Sequence, residues 1–319
     1  MRQLFALLTI AFLSIFAFGC TAPTLHPTAP GVYSAIHDTK SAVALVTDLD
    51  AADTNQTYCS ANWVAEDKIL TAAHCVEGYA DIMRRQAIVA ALVKSGLPEF
   101  MANMIAASAD DFDNADLDNP LMPDFLKAVA IIVKSVPPVP QLGLHMTYAV
   151  PADVNDPGYR PNRTYQVVAV AVNKRMDLAL LQTNGAYPKH NIPVLADQSP
   201  HVGDTIHSMG TPDHLFFTYH TGIVTGYRGT LNRAGMDMID GPFMQVQNGM
   251  SPGDSGSVIF DQDDKIVGLS SFVDTESNAG FCIHLESIRS FLIGQRVIKG
   301  NIDTTAKDPD LTNVPLNLH

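Results

Sequence analysis

A tight turn near residue 255 carries a side chain that could act as a nucleophile. The segment Gly253-Asp254-Ser255-Gly256-Ser257 places a hydroxyl between glycines, after a polar loop and before an apolar run. Such a turn lets backbone N–H groups converge beside the hydroxyl, which is how an oxyanion hole is built. Glycine, Asp and Ser are also ordinary turn residues, so the segment alone leaves a catalytic and a purely structural role open.

A histidine and a carboxylate elsewhere in the chain could activate that hydroxyl. His74 ends an apolar run in Thr71-Ala72-Ala73-His74-Cys75, and Asp177 directly precedes another in Met176-Asp177-Leu178-Ala179-Leu180-Leu181. A serine needs a base that titrates near neutral pH, and an imidazole is such a base. A carboxylate that accepts the imidazole N–H fixes the tautomer of the ring. Taken singly, each residue has an ordinary alternative: a packed histidine and a water-exposed Asp at a strand edge.

The elements that must position these residues are mostly short strands. Apolar, β-branched runs bounded by Gly, Pro, Asn and Asp recur along the chain, and this spacing indicates antiparallel barrels or a sandwich. The runs are Ala42 to Leu49, Tyr58 to Ala65, Lys68 to Ala72, His145 to Val150, Tyr165 to Val172, Leu178 to Gln182, Thr205 to Met209, Phe216 to Gly226, Phe243 to Gln247, Ser257 to Phe260, Lys265 to Phe272 and Gly280 to His284.

Two segments have sequence patterns that predict helices. From Tyr79 to Gly143 the sequence changes to Ala, Met and Leu at helical spacing, which predicts an inserted helical subdomain. Its own core is expected to include Ile88, Leu92, Ile131 and Ile132. A closing helix is predicted over Leu285 to Val297, and residues 297–319 are expected to form a loosely attached tail.

Together the motifs TAAHC, DLALL and GDSGS, in the order His, Asp, Ser, resemble those of the trypsin-like (chymotrypsin-fold) serine proteases. The resemblance implies an all-β fold of two six-stranded antiparallel β-barrels over residues 41–296, with a helical insertion over 79–143 and a C-terminal helix. The segment Lys265-Ile266-Val267-Gly268, followed by Gly280-Phe281-Cys282-Ile283 and a helix, is more similar to the bacterial HtrA-like exported proteases than to digestive trypsins.

The resemblance also implies a mechanism. Ser255 would attack the substrate carbonyl, His74 would remove and later return its proton, and Asp177 would orient the imidazole. The N–H groups of Gly253 and Ser255 would form the oxyanion hole. No Ile-Val-Gly-Gly sequence begins the domain, so we do not expect the trypsin zymogen switch, in which a freed amino terminus pairs with the residue at Asp254.

The expected specificity pocket is apolar. Trypsins carry Asp six residues before the nucleophile, and this chain has Gly249 there, which argues against cleavage after Lys or Arg. We therefore expect small or medium hydrophobic residues before the scissile bond. The other residues expected to line the pocket are Met250, Ser270, Ser271 and Phe272.

Four cysteines are too few for a disulfide-dense scaffold. Cys59 and Cys75 lie on or just after neighbouring predicted strands, where they could form a bridge in an oxidising compartment or remain two buried thiols. The resemblance favours the bridge, since the family ties its histidine loop to the adjacent strand in this way. Cys282 has no evident partner and is expected in the core.

The amino terminus predicts export. Arg2 precedes an apolar or small-residue run from Leu4 to Gly19, which suits a signal peptide over residues 1–19. Its end resembles the bacterial lipoprotein cleavage site, so Cys20 is expected to be lipidated and residues 20–40 to act as a linker. Cleavage after Ala22 is the alternative. The expected location is periplasmic or cell-surface.

Charge and composition restrict the classes of molecule that the protein is expected to bind. The net charge of -13 disfavours nucleic acid, and neither the histidine spacing nor the acidic stretch from Asp110 to Asp118 predicts a metal site. No cofactor is expected. The remaining partners are protein or peptide substrates, and a membrane only through Cys20. Two functions stay open: an exported serine endopeptidase, and a binding or scaffold protein that keeps the protease fold without useful turnover.

Overall fold

The computed structural model describes residues 37–38, 40–47, 57–151, 161, 164–183, 190–229, 241–274 and 276–299. The predicted signal peptide, Cys20, most of the expected linker and the end of the expected tail lie outside these residues.

The first β-barrel closes in the strand order β1-β2-β3-β6-β5-β4, with every neighbouring pair antiparallel. Its strands are β1 (Ala42–Val46), β2 (Thr57–Ala65), β3 (Lys68–Thr71), β4 (His145–Ala149), β5 (Tyr165–Asn173) and β6 (Leu178–Thr183).

The second barrel closes in the order β10-β11-β12-β9-β8-β7, again antiparallel throughout. Its strands are β7 (Thr205–Gly210), β8 (Thr218–Arg228), β9 (Phe243–Gln247), β10 (Val258–Phe260), β11 (Ile266–Asp274) and β12 (Ala279–His284). A helix over Leu285–Gly294 follows β12. The predicted all-β fold of two six-stranded barrels with a C-terminal helix is confirmed.

The two barrels meet along β1, which explains why this strand is buried on both faces. Successive side chains of a strand point to opposite faces. Val43 and Leu45 belong to the main core cluster, whereas Ala44 and Val46 belong to a cluster that also contains Met209 of the second barrel. The packed junction fixes the barrels relative to each other, and therefore fixes any site that draws residues from both.

Four helices separate β3 from β4: α1 (Ala73–Lys94), α2 (Glu99–Ala107), α3 (Ala109–Asp113) and α4 (Asp124–Ser135). The helix after β3 thus begins at Ala73, ahead of the expected start at Tyr79. None of the helices in the described part of the chain is both long and apolar enough to span a membrane.

The helices have a core of their own, as expected, with one exception. Ile88 and Leu92 are fully buried in a cluster with residues of α2, α3 and α4, and Ile132 packs against that cluster. Ile131 is 57% exposed, so its predicted burial is wrong. The buried residues of α4 include Val129 and Val133, which are four residues apart and lie on the same face of the helix. Ile131 is two positions from each of them, so it lies on the opposite face.

A buried ion pair fastens the residues before β1 to the second barrel. The ring of His207 contacts Asp38 Oδ2 through Nδ1 at 2.7 Å and the Asp261 carbonyl oxygen through Nε2 at 2.8 Å. Both partners are acceptors, so both ring nitrogens must donate and the ring is an imidazolium. Burial lowers the pKa of His207, but the hydrogen bond and charge of Asp38, the Asp261 carbonyl and the charge of Asp264 outweigh burial and raise it overall.

Candidate active site

Strand pairing brings His74 to Asp177, although they are 103 residues apart in sequence. β3 pairs with β6 so that Thr71 lies opposite Ala179. His74 is in the first turn of α1, just after β3, and Asp177 directly precedes β6. Asp177 has a φ of 51°, a left-handed conformation that Asp adopts more readily than most residues.

The Asp177 carboxylate is 2% exposed and accepts hydrogen bonds from two residues. The backbone N–H of His74 donates to Asp177 Oδ1 at 3.0 Å. Nδ1 of the His74 imidazole lies 3.0 Å from each of the two carboxylate oxygens. The Ser271 hydroxyl donates to Oδ2 at 2.5 Å. Because Nδ1 must carry a proton to donate to a carboxylate, the neutral ring keeps its lone pair on Nε2, as a general base requires.

The surroundings of His74 shift its pKa in opposite directions. Burial lowers the pKa of the imidazole because a charged ring is poorly solvated there. The hydrogen bond and charge of Asp177, with the charge of Glu77, favour the protonated ring. Their combined effect is larger, and the pKa of His74 is raised above 6.5.

Ser271 joins the carboxylate to the proposed nucleophile. Its side chain donates to Asp177, and its backbone carbonyl accepts the Ser255 hydroxyl at 2.9 Å. Sequence reasoning placed Ser271 only in the pocket wall and missed this contact, which joins β11 of the second barrel to the residue before β6 of the first. Within the described residues, the Ser255 hydroxyl thus donates to Ser271 and not to His74. Catalytic hydrogen bonds are often long or misaligned without substrate and tighten only when substrate is bound.

The turn around Ser255 requires its glycines. Gly253 and Gly256 have φ of 103° and 89°. A Cβ on Gly253 would lie 2.3 Å from the Thr211 carbonyl oxygen, and one on Gly256 would lie 2.1 Å from that of Ser60. Neither position therefore has room for a side chain, and the turn packs directly against both barrels.

The peptide before Gly253 is held in one orientation. The Pro252 carbonyl accepts the Asp213 N–H at 2.8 Å, and in a trans peptide the N–H points opposite to the carbonyl. The Gly253 N–H therefore points away from Asp213. Neither this N–H nor that of Ser255 donates to another residue within the described ranges, so both donors are available at the turn.

Two side-chain hydroxyls hold the peptide between Gly253 and Asp254 in place. The Ser60 hydroxyl of β2 donates to the Gly253 carbonyl at 2.8 Å, and the Thr211 hydroxyl donates to the same oxygen at 3.1 Å. The Thr211 N–H donates to the Ser60 hydroxyl at 2.9 Å. Both side chains are fully buried. These hydrogen bonds tie the turn to the first barrel as well as to the second.

Of the residues of the expected pocket, Ser270 contacts Met250, which is 6% exposed. Its sulfur is 3.7 Å from the Ser270 hydroxyl and 4.0 Å from Cys282 Sγ. A Cβ on Gly280 would come within 2.6 Å of the same sulfur. Met250 thus crosses from the loop before β10 to β11 and β12. The ring of Phe272 stacks on Phe281 with centroids 4.8 Å apart.

Cys59 and Cys75 form a disulfide, which ties α1 beside His74 to β2. These three residues are close enough in space to suggest a metal site, but a disulfide offers no thiolate ligands. Cys282 is buried as a free thiol.

Comparison with known proteins gives partial matches at the sequence level. The family profile described as Trypsin-like peptidase domain matches residues 141–269, a range that contains Asp177 and Ser255 but not His74. The chain is 29% identical to the serine endoprotease DegS of Escherichia coli K12 over 120 residues, 37% of this chain and 32% of DegS. It is 26% identical to the mitochondrial serine protease HTRA2 of Bos taurus over 129 residues, 40% of this chain and 28% of HTRA2. The match therefore spans about a third of these relatives' length.

The fold also matches solved structures. The active form of the Rv3671c protease from M. tuberculosis superimposes with a TM-score of 0.50, covering 84% of this chain and 86% of that one. Its sequence identity is 12%, so this likeness concerns the fold alone.

Proposed function

We propose that the protein is a serine endopeptidase, because residues 141–269 match the trypsin-like peptidase domain profile and part of the chain is similar to the serine proteases DegS and HTRA2. Residues 41–296 would form its protease domain, interrupted by the helical insertion over 79–143. The observation that carries the proposal is the arrangement at Asp177, whose carboxylate accepts from His74 Nδ1 while Ser271 connects it to Ser255.

In this mechanism the Ser255 oxygen attacks the peptide carbonyl and its proton passes to His74 Nε2. The negative charge that develops on the carbonyl oxygen is stabilised by the N–H groups of Gly253 and Ser255, each worth about 3 kcal/mol where such a donor has been removed. His74 then protonates the leaving amine as the C–N bond breaks. Water, deprotonated by the same imidazole, hydrolyses the acyl-enzyme and restores the Ser255 hydroxyl.

The competing function is a binding or scaffold protein that keeps the protease fold without turnover. Hydrolysis of an unfolded protein substrate separates the two. We expect cleavage by the native chain and none by Ser255→Ala. Ser257→Ala is the matched control, because the Ser257 hydroxyl is buried and donates to Ser270 at 3.0 Å, away from Asp177. Cleavage that survives Ser255→Ala, or no cleavage by the native chain, would favour the scaffold.

We propose that the enzyme cleaves after small or medium apolar residues, because Met250 occupies the space between Ser270 and Gly280. Peptide substrates that differ only in the residue before the scissile bond test this. Native enzyme should prefer Ala, Val or Leu over Phe and Arg. Met250→Ala should raise the relative rate on Phe, since it opens the pocket. An Arg preference, or an unchanged ranking in Met250→Ala, would contradict this assignment.

We further propose export, with a lipid on Cys20. The apolar segment before Cys20 supports it, as does similarity to a relative named as a probable periplasmic serine endoprotease, DegP-like, from Halomonas elongata, at 26% identity over 118 residues. Mass spectrometry of the mature amino terminus from a bacterial host tests the site. A diacylated Cys20 is expected, with release from the membrane fraction in Cys20→Ala. A free terminus following Ala22 would show ordinary cleavage instead.

A further inference from the structure

Asp254, the residue before the proposed nucleophile, is a buried carboxylate with incomplete hydrogen bonding. It is 1% exposed, and Oδ2 accepts the Ser251 N–H at 3.0 Å. Oδ1 is also buried and has no hydrogen-bond donor among the described residues. A buried charge of this kind is costly unless an opposite charge compensates it.

The backbone packs closely around this carboxylate. A Cβ on Gly210, at the end of β7, would lie 2.0 Å from Asp254 Oδ1. The absence of a side chain at Gly210 therefore makes the space that the carboxylate occupies. An opposite charge that compensates Asp254 must therefore lie on a side of the carboxylate other than that of Gly210.

His220 supplies it. His220 lies on β8, opposite Ser208 of β7, and its Nε2 is 3.3 Å from Asp254 Oδ2. This is the one Lys, Arg or His side chain within ion-pair distance of Asp254 in the described part of the chain. The ring is 11% exposed, and its Nε2 makes no hydrogen bond within the described residues, so the contact with Asp254 is an ion pair only when the ring is protonated. A Cβ on Gly249 would be 3.9 Å from Nδ1 of the ring.

Asp254 in turn holds the shape of the turn that presents the oxyanion donors. Its side chain binds the Ser251 N–H, its own N–H donates to the Ser251 carbonyl at 3.1 Å, and its carbonyl accepts the Ser257 N–H at 3.0 Å. A shift of Asp254 would therefore move the 254–255 peptide, which carries the Ser255 N–H. It would also move the 253–254 peptide, and through it disturb the neighbouring peptide that carries the Gly253 N–H.

We propose that His220 is a positioning residue for the hydrolysis: its imidazolium balances the charge of Asp254 and so keeps the Gly253 and Ser255 N–H groups aligned. The inference rests on the proposed function.

Kinetics of three variants test the role. His220→Gln removes the charge and should lower kcat roughly tenfold to hundredfold with KM nearly unchanged, because oxyanion stabilisation acts on the transition state. His220→Lys keeps a cation and should recover much of that loss. His201→Gln is the matched control, since its side chain is 90% exposed, and it should behave as native.

A double-mutant cycle tests the ion pair without requiring turnover. His220→Gln should lower the melting temperature by leaving the Asp254 charge uncompensated, and adding Asp254→Asn should restore part of that loss, a non-additive result. In kcat, the double variant should be no slower than Asp254→Asn alone.

Several results would overturn the proposal. One is a folded His220→Gln variant with native kcat, and another is a change confined to KM, which would make His220 a pocket residue. A third is additive melting shifts in the cycle, which would show that the two side chains do not interact. Absence of Ser255-dependent cleavage in the native chain is a different result: it refutes the proposed function, and the melting cycle then still decides the ion pair.

Discussion

Replacing Ser271 by Ala should slow catalysis without changing substrate binding. The Ser271 hydroxyl donates to Asp177 Oδ2, and the other donors to this carboxylate come from His74. A hydrogen bond to a charged group is worth about 1.5–3 kcal/mol, which corresponds to roughly a 10- to 150-fold change in rate. Because His74 retains its own bonds to Asp177, we expect the lower half of that range in kcat.

The assay is steady-state hydrolysis of a peptide with Val before the scissile bond, with kcat and KM determined separately. Ser270→Ala is the control, because the Ser270 hydroxyl contacts Ser257 and Met250 and not Asp177. It should leave kcat close to native. If Ser271→Ala instead raised KM or changed the residue preference at native kcat, the hydroxyl would be part of the pocket wall and the reasoning would be refuted.

Three further predictions concern titration and cross-linking. Since the base must be neutral and the pKa of His74 is raised, kcat/KM should fall as pH decreases, with a midpoint above 6.5; a midpoint below 6.5 in a pH–rate profile would contradict this. Reduction of Cys59–Cys75, at a separation of 16 residues, should cost about 3 kcal/mol and lower the melting temperature by roughly 6–12 °C in calorimetry; an unchanged melting temperature would argue against the bridge. Because the pKa of His207 is raised on folding, its interactions stabilise the fold fully below about 6.5 and less as pH rises through the raised value. Chemical denaturation should show a steeper loss of stability with rising pH in native protein than in Asp38→Asn, where His74 still contributes a trend of the same sign; equal trends would contradict this.

Local sequence patterns were sufficient to predict the strands. Most strands are short runs with β-branched or aromatic residues that end at, or within two residues of, Gly, Pro, Asn or Asp. Such runs pack on a pleated surface wherever they lie in the chain. The motifs around His74, Asp177 and Ser255 could also be recognised in the sequence, because the proposed catalysis restricts which residue types can serve.

The start of α1 was not predictable from start signals. Its N-cap is Ala72, which makes no side-chain hydrogen bond, and its first turn has no acidic residue. The usual marks of a helix start are therefore missing. Tertiary contacts, including the Cys75 disulfide and the bonds of His74 to Asp177, hold this turn in place.

Contacts between residues on distant strands could not be predicted from the sequence either. The bond from Ser271 to Asp177 links β11 to the residue before β6, and the pair of His220 and Asp254 links β8 to the turn before β10. Both follow from how the closed barrels stack, which no local pattern encodes. A serine in a strand and a lone histidine look ordinary until the barrels are assembled.

The most direct test of the central claim is to locate a covalent adduct formed by a fluorophosphonate. Native protein should gain one adduct, and peptide mapping should place it on Ser255, with labelling greatly slowed in His74→Gln because the base is gone. No adduct at Ser255, or labelling at an equal rate in His74→Gln, would show that this hydroxyl is not activated by the imidazole.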